Sequence, residues 1–247
     1  MLNAKHNNEQ NCKLSIVNTD KTLYNQSRYC HKMTVSIQIM QKLTQLIIEN
    51  FKHHYISDAE IKVLLGAQTS DNSRYAIVKR ALRSGELKKI KRGLYSLSEK
   101  YRTEKLNLLA LADLIYYPSY ISLQSALDYY GMVPEGVYSI TSVTSKKTKE
   151  FNTPFGNFYF HSVPKKFFHF GITRVEKNGV FLVAEPLKAL LDYIYIFKKD
   201  WKNIEDTKKD LRLNDSITNF INTNIINEYY KNCKNVRVKN FLNGLKE

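Results

Sequence analysis

Cysteine is scarce in this 247-residue chain: there are three, Cys12, Cys30 and Cys233, odd in number and widely separated. This argues against a disulfide framework, and without a Cys-x-x-Cys pair nothing points to zinc, so free thiols in a reducing cytosol are expected. Long apolar runs are missing as well. The longest apolar region, residues 106–117, is broken by Asp113 and is far too short to span a bilayer, and the amino-terminal stretch lacks the apolar core of a signal peptide. A cytoplasmic protein with no membrane association is the expectation. The common catalytic signatures are missing too: there is no GxSxG elbow, P-loop, HExxH or paired aspartate motif beside a Gly-Ser turn. These gaps disfavour a hydrolase, a kinase, a zinc protease and a nucleotidyltransferase. His53-His54 is the nearest thing to a metal pair, but adjacent residues point to different faces of any regular element. Glu185 and Lys188 surround Pro186 as a helix start with an acid near its positive end. No catalytic, cofactor-binding or metal-binding residue is expected, and no enzymatic activity.

Alanine and glycine are also sparse, whereas Lys, Asn, Ile and Tyr are abundant. That bias has the look of an AT-rich genome, so part of the net charge of +15 says nothing about function. Its distribution says more. Residues 1–100 carry 17 basic and 8 acidic side chains, residues 101–200 carry 12 and 9, and residues 201–247 carry 9 and 6.

The basic excess has a pattern within it. At 100° per residue, Ile77, Val78, Ala81 and Leu82 fall on one side of a helix beginning near Asn72, while Asn72, Ser73, Ala76, Lys79, Arg80 and Arg83 fall on the other. Ser84-Gly85 reads as its stop. Leu87–Lys91 and Leu94–Leu97 then read as two short strands joined at Arg92-Gly93, with Lys88, Lys89, Lys91 and Arg92 around the tip. Two helices precede this unit. Ile39, Met40, Leu43, Leu46 and Ile47 recur at helical spacing over about residues 35–50. Ser57-Asp58-Ala59-Glu60 is a capping box, with Ile56 and Ile61 placed as a hydrophobic staple and Gly66 as the stop. A turn at Ala67-Gln68-Thr69, with Ser70 or Asp71 as the next cap, completes the order of a winged helix-turn-helix. From Arg74 to Arg92 eight basic residues stand against one acid, Glu86, on the two elements that such a module presents to duplex DNA.

Residues 1–33, polar and without a sustained period, read as a loosely held tail; residues 34–100 as the winged helix; and residues 101–247 as a mixed region with its own core. The fold class expected is α+β. In the last region helices are expected over residues 106–114 and 122–130, and strands over 138–144 and 155–163. A hairpin of Ile172–Glu176 with residues 180–183 should turn at Lys177-Asn178-Gly179, a helix should open at Pro186, and two or three short helices should follow from Ile204. The aromatics Phe155, Phe158, Tyr159, Phe160, Phe167, Phe168 and Phe170 are readable as core or as the lining of a ligand pocket or interface.

Several short stretches together resemble a known family. Gly85-Glu86-Leu87, Arg92-Gly93-Leu94-Tyr95, Ile121-Ser122-Leu123-Gln124-Ser125-Ala126-Leu127, Tyr130-Gly131 and Pro134-Glu135 resemble the AbiEi antitoxins of abortive-infection AbiE systems. Thr141-Ser142-Val143-Thr144, Phe151, Gly156, an aromatic strand ending at His161, and Ala184-Glu185-Pro186-Leu187-Lys188-Ala189-Leu190-Leu191-Asp192 follow in that family's order. The resemblance spans roughly residues 35–200. It implies a type IV antitoxin that represses its own operon and counters a nucleotidyltransferase-like toxin without an obligatory stable complex. Double-stranded operator DNA would then be its direct partner, and a homodimer could form on that DNA. Carried over, Asn72, Ser73, Lys79 and Arg80 would read the groove, and Arg83, Lys88, Lys89, Lys91 and Arg92 would meet phosphates. Tyr75 belongs to the same surface, and Arg74, on the core side of the wheel, either lies beyond the packed part of the helix or folds back to a phosphate. Two other readings stand beside this one: a winged-helix regulator whose second region senses a ligand or mediates pairing, and, less favoured, a DNA-acting enzyme such as a nuclease.

Overall fold

In a computed structural model of the chain, residues 42–51, 54–134, 136, 138–221 and 223–246 are described. The expected tail, residues 35–41 of the first helix and His53 lie outside them. The architecture is α+β, with one three-stranded and one six-stranded sheet.

The first elements are α1 (Lys42–Asn50), β1 (Tyr55–Ser57), α2 (Asp58–Leu65), α3 (Asp71–Arg83), β2 (Leu87–Lys91) and β3 (Leu94–Leu97). Local chemistry sets their boundaries. Ser57 caps α2 by accepting from the Glu60 amide at 3.2 Å, and Glu60 returns a carboxylate to the Ser57 N–H at 2.7 Å. Ile56 and Ile61, which flank that cap, are both fully buried in one cluster. Ser70 caps α3 by accepting from the Ser73 amide. Gly85 ends α3's final turn at φ 71°, and Gly93 takes φ 76° in the two-residue hairpin loop, conformations that a side chain would strain. The hairpin forms as the sequence predicts, but it carries a third strand. β1 pairs with β3, giving the order β1-β3-β2. Leu43, Ile47, Ile56, Ile61, Val78, Ala81, Leu87, Tyr95 and Leu97 form the small core beneath these elements.

The rest of the chain is built on the larger sheet. It comprises α4 (Leu108–Ile115), β4 (Ser119–Ile121), α5 (Leu123–Tyr129), β5 (Ile140–Thr144), β6 (Lys149–Thr153), β7 (Gly156–Ser162), the single turn α6 (Lys165–Phe168), β8 (Ile172–Glu176), β9 (Val180–Ala184), α7 (Pro186–Phe197), α8 (Ile204–Leu211), α9 (Thr223–Asn232) and α10 (Val236–Gly244). The strand order is β6-β7-β5-β4-β9-β8, with β5/β7 and β4/β9 parallel and the remaining pairs antiparallel. The β8–β9 hairpin turns at Lys177-Asn178-Gly179, where Asn178 and Gly179 both have positive φ. Pro186 opens α7 in the first turn, where its missing N–H costs nothing. The larger core takes in Phe158, Phe160, Phe167 and Phe168, which are buried and so fill the interior rather than line a pocket. It also includes Ile90 and Leu94 from the β2–β3 hairpin, so the two parts of the chain share apolar contacts.

Candidate nucleic-acid interface

The outward face of α3 carries the side chains that the helical wheel assigned to it. Asn72, Ser73, Ala76, Lys79, Arg80 and Arg83 are exposed, Val78 and Ala81 are buried, and Ile77 and Leu82 are half-buried. Tyr75 is 53% exposed. On the hairpin, Lys88, Lys89 and Arg92 are exposed. Among the described residues none of Lys79, Arg80, Arg83, Lys88, Lys89 or Arg92 has an ion-pair partner. Glu86, the one acid in this stretch, points the other way: it is 3% exposed and accepts a hydrogen bond from Thr44 Oγ1. The surface over residues 72–92 therefore shows positive charge and no carboxylate.

Two of the expected DNA contacts are otherwise engaged. Arg74 is buried, with its guanidinium on Asp58 at 3.1 and 3.3 Å and on Asp71 at 2.5 Å. Asp58 first, then Asp71, holds the guanidinium protonated well above its ordinary range, and Arg74 in turn draws the Asp71 carboxyl down. It ties the start of α3 to the start of α2, so it acts as a strut and not as the expected DNA contact. The helical wheel had put it on the core side; its partner Asp58, sixteen residues back, becomes visible only in three dimensions. Lys91 is half-buried, and its Nζ donates to the Ile115 carbonyl at 2.7 Å. Burial, then Lys149 and Lys146, pushes this ammonium below its usual range. It joins the hairpin to α4 instead of standing free for phosphate. Ser73 is partly committed as well, since its Oγ accepts from Ser70 Oγ at 2.9 Å.

Sequence reasoning missed the lysines that neighbour Lys91. Lys146, Lys147 and Lys149 lie on the β5–β6 turn and at the start of β6, all exposed. The Lys-Lys-Thr-Lys run was a visible signal, but its neighbourhood with the hairpin is a product of tertiary packing.

A different cluster lies at the centre of the larger core. Lys188 and Asp192, one helical turn apart on α7, form an ion pair with both side chains at 0% exposure. Ser122 Oγ and Tyr120 Oη donate to Asp192 Oδ2 at 2.6 and 3.0 Å. The ammonium lies over the rings of Phe167, Tyr120 and Phe170 at 3.9, 5.3 and 5.4 Å. Burial works against both charges, lowering the lysine and raising the carboxyl, while the attraction between the two, and then the Ser122 and Tyr120 hydroxyls on the carboxylate, oppose it. With Lys188, Asp192, Ser122, Tyr120 and Phe167 all buried and Phe170 half-buried over them, this cluster ties α7 to β4 and α6 inside the larger core. Among the described residues, no group of three or more His, Cys, Asp or Glu could hold a metal ion, and no helix is long and apolar enough to cross a membrane.

An open groove of about 1030 Å³ lies between the end of α1 and the β8–β9 turn, lined by Glu49, Tyr55, Tyr101, Asn107 and Asp113 among others; neither α3 nor β2 contributes to it. The chain matches no protein-family model and no curated protein, so its function has to be read from these side chains.

Proposed function

We propose that this chain is a winged helix-turn-helix DNA-binding protein that represses its own operon and serves as the antitoxin of an AbiE-type system, countering a nucleotidyltransferase-like toxin. The observation that carries the DNA reading is charge segregation on α3 and the β2–β3 hairpin. Six exposed cations, Lys79, Arg80, Arg83, Lys88, Lys89 and Arg92, share one stretch whose only carboxylate is buried. Solvated faces of ordinary helices carry both signs of charge, whereas here the one exposed carboxylate of these two elements, Asp71 at the start of α3, is paired with Arg74 and the outward face is basic, which matches a polyanion. α3 would enter the major groove with Asn72, Lys79 and Arg80 toward base edges. The hairpin would lie along the backbone as the wing, with Lys88, Lys89 and Arg92 on phosphates. The antitoxin role rests on the resemblance to AbiEi in residues 121–135, 141–161 and 184–192, and it is assigned to the part of the chain after Tyr101. The protein works in the cytoplasm, where its operator is.

The two roles should separate. In cells expressing the toxin encoded beside it, a chain with Lys79, Arg80 and Arg83 changed to Ala is expected to lose repression of its promoter and still protect, because charge removal on an exposed face leaves the larger core untouched. Promoter-reporter output and survival are the two readouts. A folded, normally abundant variant that no longer protects would place the antitoxic role on α3 itself, and a wild-type chain that fails to protect would remove that role altogether.

A further inference from the structure

β2 and β6 are each the outermost strand of their own sheet, and the two pack against one another. The route from α3 through the hairpin therefore leads straight to the edge of the larger sheet, and that edge is basic. Lys146, Lys147 and Lys149 are exposed there, and among the described residues none of them has an ion-pair partner. Glu150 follows Lys149 in the strand and so points to the opposite face. Two of these lysines lie against aromatic rings, and the backbone of the third is tied to one of them. Lys146 Nζ and Lys149 Nζ lie over the Tyr116 ring at 5.5 and 5.7 Å, Lys149 also covers Phe151 at 4.8 Å, and Tyr116 Oη donates to the Lys147 carbonyl at 3.2 Å. On the hairpin side, Lys88 Nζ stands 6.0 Å from the Phe155 ring, in the turn that joins β6 to β7.

Like charges gathered across a junction between two sheets repel unless an anion meets them, and packing against aromatic rings reduces the entropy lost when it does. We propose that the duplex-binding surface continues from the hairpin onto the β5–β6 turn, where Lys146, Lys147 and Lys149 take phosphates of the same duplex. This rests on the DNA-binding reading and extends it to the part of the chain that the sequence assigned to the antitoxin. Phosphate contacts carry no sequence information, so the extension adds affinity and orientation but no base preference.

The test uses the full chain, the same duplex operator and a random duplex, titrated between about 50 and 200 mM salt. The variant K146Q/K147Q/K149Q is set against K202Q/K209Q/K234Q, which removes the same charge from exposed positions in the carboxy-terminal segments. Circular dichroism on both checks the fold. At about 0.9 per phosphate, the first variant is expected to flatten the slope of log K against log salt by about 2 to 3, equally on both duplexes, while the second keeps the wild-type slope. A wild-type slope in the first variant, alongside loss of binding in K79A/R80A/R83A, overturns the extension and leaves the DNA reading standing. Equal flattening in both triple-glutamine variants overturns it too, since net charge alone would then account for the effect. A wild-type chain that binds no duplex overturns both.

Discussion

Replacing Lys79, Arg80 and Arg83 together with alanine is expected to weaken operator binding by about 100- to 1000-fold near physiological salt, through lost phosphate neutralisation and one or two lost base contacts. The three side chains are exposed and have no ion-pair partner among the described residues, so their loss breaks nothing in the fold. Alanine is the best helix former, so α3 should persist. Within the set, Arg80→Ala alone should cost roughly 1 to 3 kcal/mol on the operator and less on random DNA, which separates base reading from anchoring. Arg74→Ala makes the informative contrast. Its guanidinium is spent on Asp58 and Asp71, so the variant should melt earlier and bind with an unchanged salt slope. Binding by the triple variant within about threefold of wild type, in competition titrations on both duplexes, would remove α3 from the interface.

The second large effect lies far from the surface. Asp192→Ala leaves the Lys188 ammonium buried without its carboxylate and strips Ser122 and Tyr120 of their acceptor. Breaking one half of a buried pair typically costs about 3 to 5 kcal/mol, a large share of the roughly 5 to 15 kcal/mol that holds a folded domain together. Urea titration should show the midpoint falling steeply. The double change K188M/D192L removes both charges and fills the space with apolar atoms, so it should recover much of the loss. A cost below about 1 kcal/mol for Asp192→Ala would mean that the pair is not the buried centre described above.

Much of the local structure is legible in the sequence because single residues dictate it. The capping box at Ser57 and Glu60, the stop at Gly85, the Arg92-Gly93 loop, the Asn178-Gly179 turn and Pro186 each act within four residues of themselves, and each is found in its place. Strands β1, β4 and β6 are not readable in this way. The first two are three residues long, too short to show a period, and β6 is an edge strand whose residues are exposed or half-buried, so no apolar alternation marks it. The candidate surface is legible to the same degree and for the same reason. The outward side chains of α3 follow from helical periodicity, whereas the withdrawal of Arg74 to Asp58 and of Lys91 to Ile115 depends on contacts 16 and 24 residues distant in the chain. Lys188 and Asp192 are spaced for an ion pair on one helix face, but their complete burial comes from the rings and hydroxyls of other elements.

On the proposed reading, the basic outward face of α3 and the hairpin meets the phosphates of duplex DNA. The most direct measurement is the affinity of the full chain for a duplex from its own promoter, titrated from about 50 to 200 mM salt. Six exposed cations on α3 and the hairpin give an expected slope of log K against log salt near −5, and three more lysines on the β5–β6 turn would steepen it to about −8. A slope shallower than about −2 would contradict the claim, because so few released counterions leave no room for a phosphate surface on these elements.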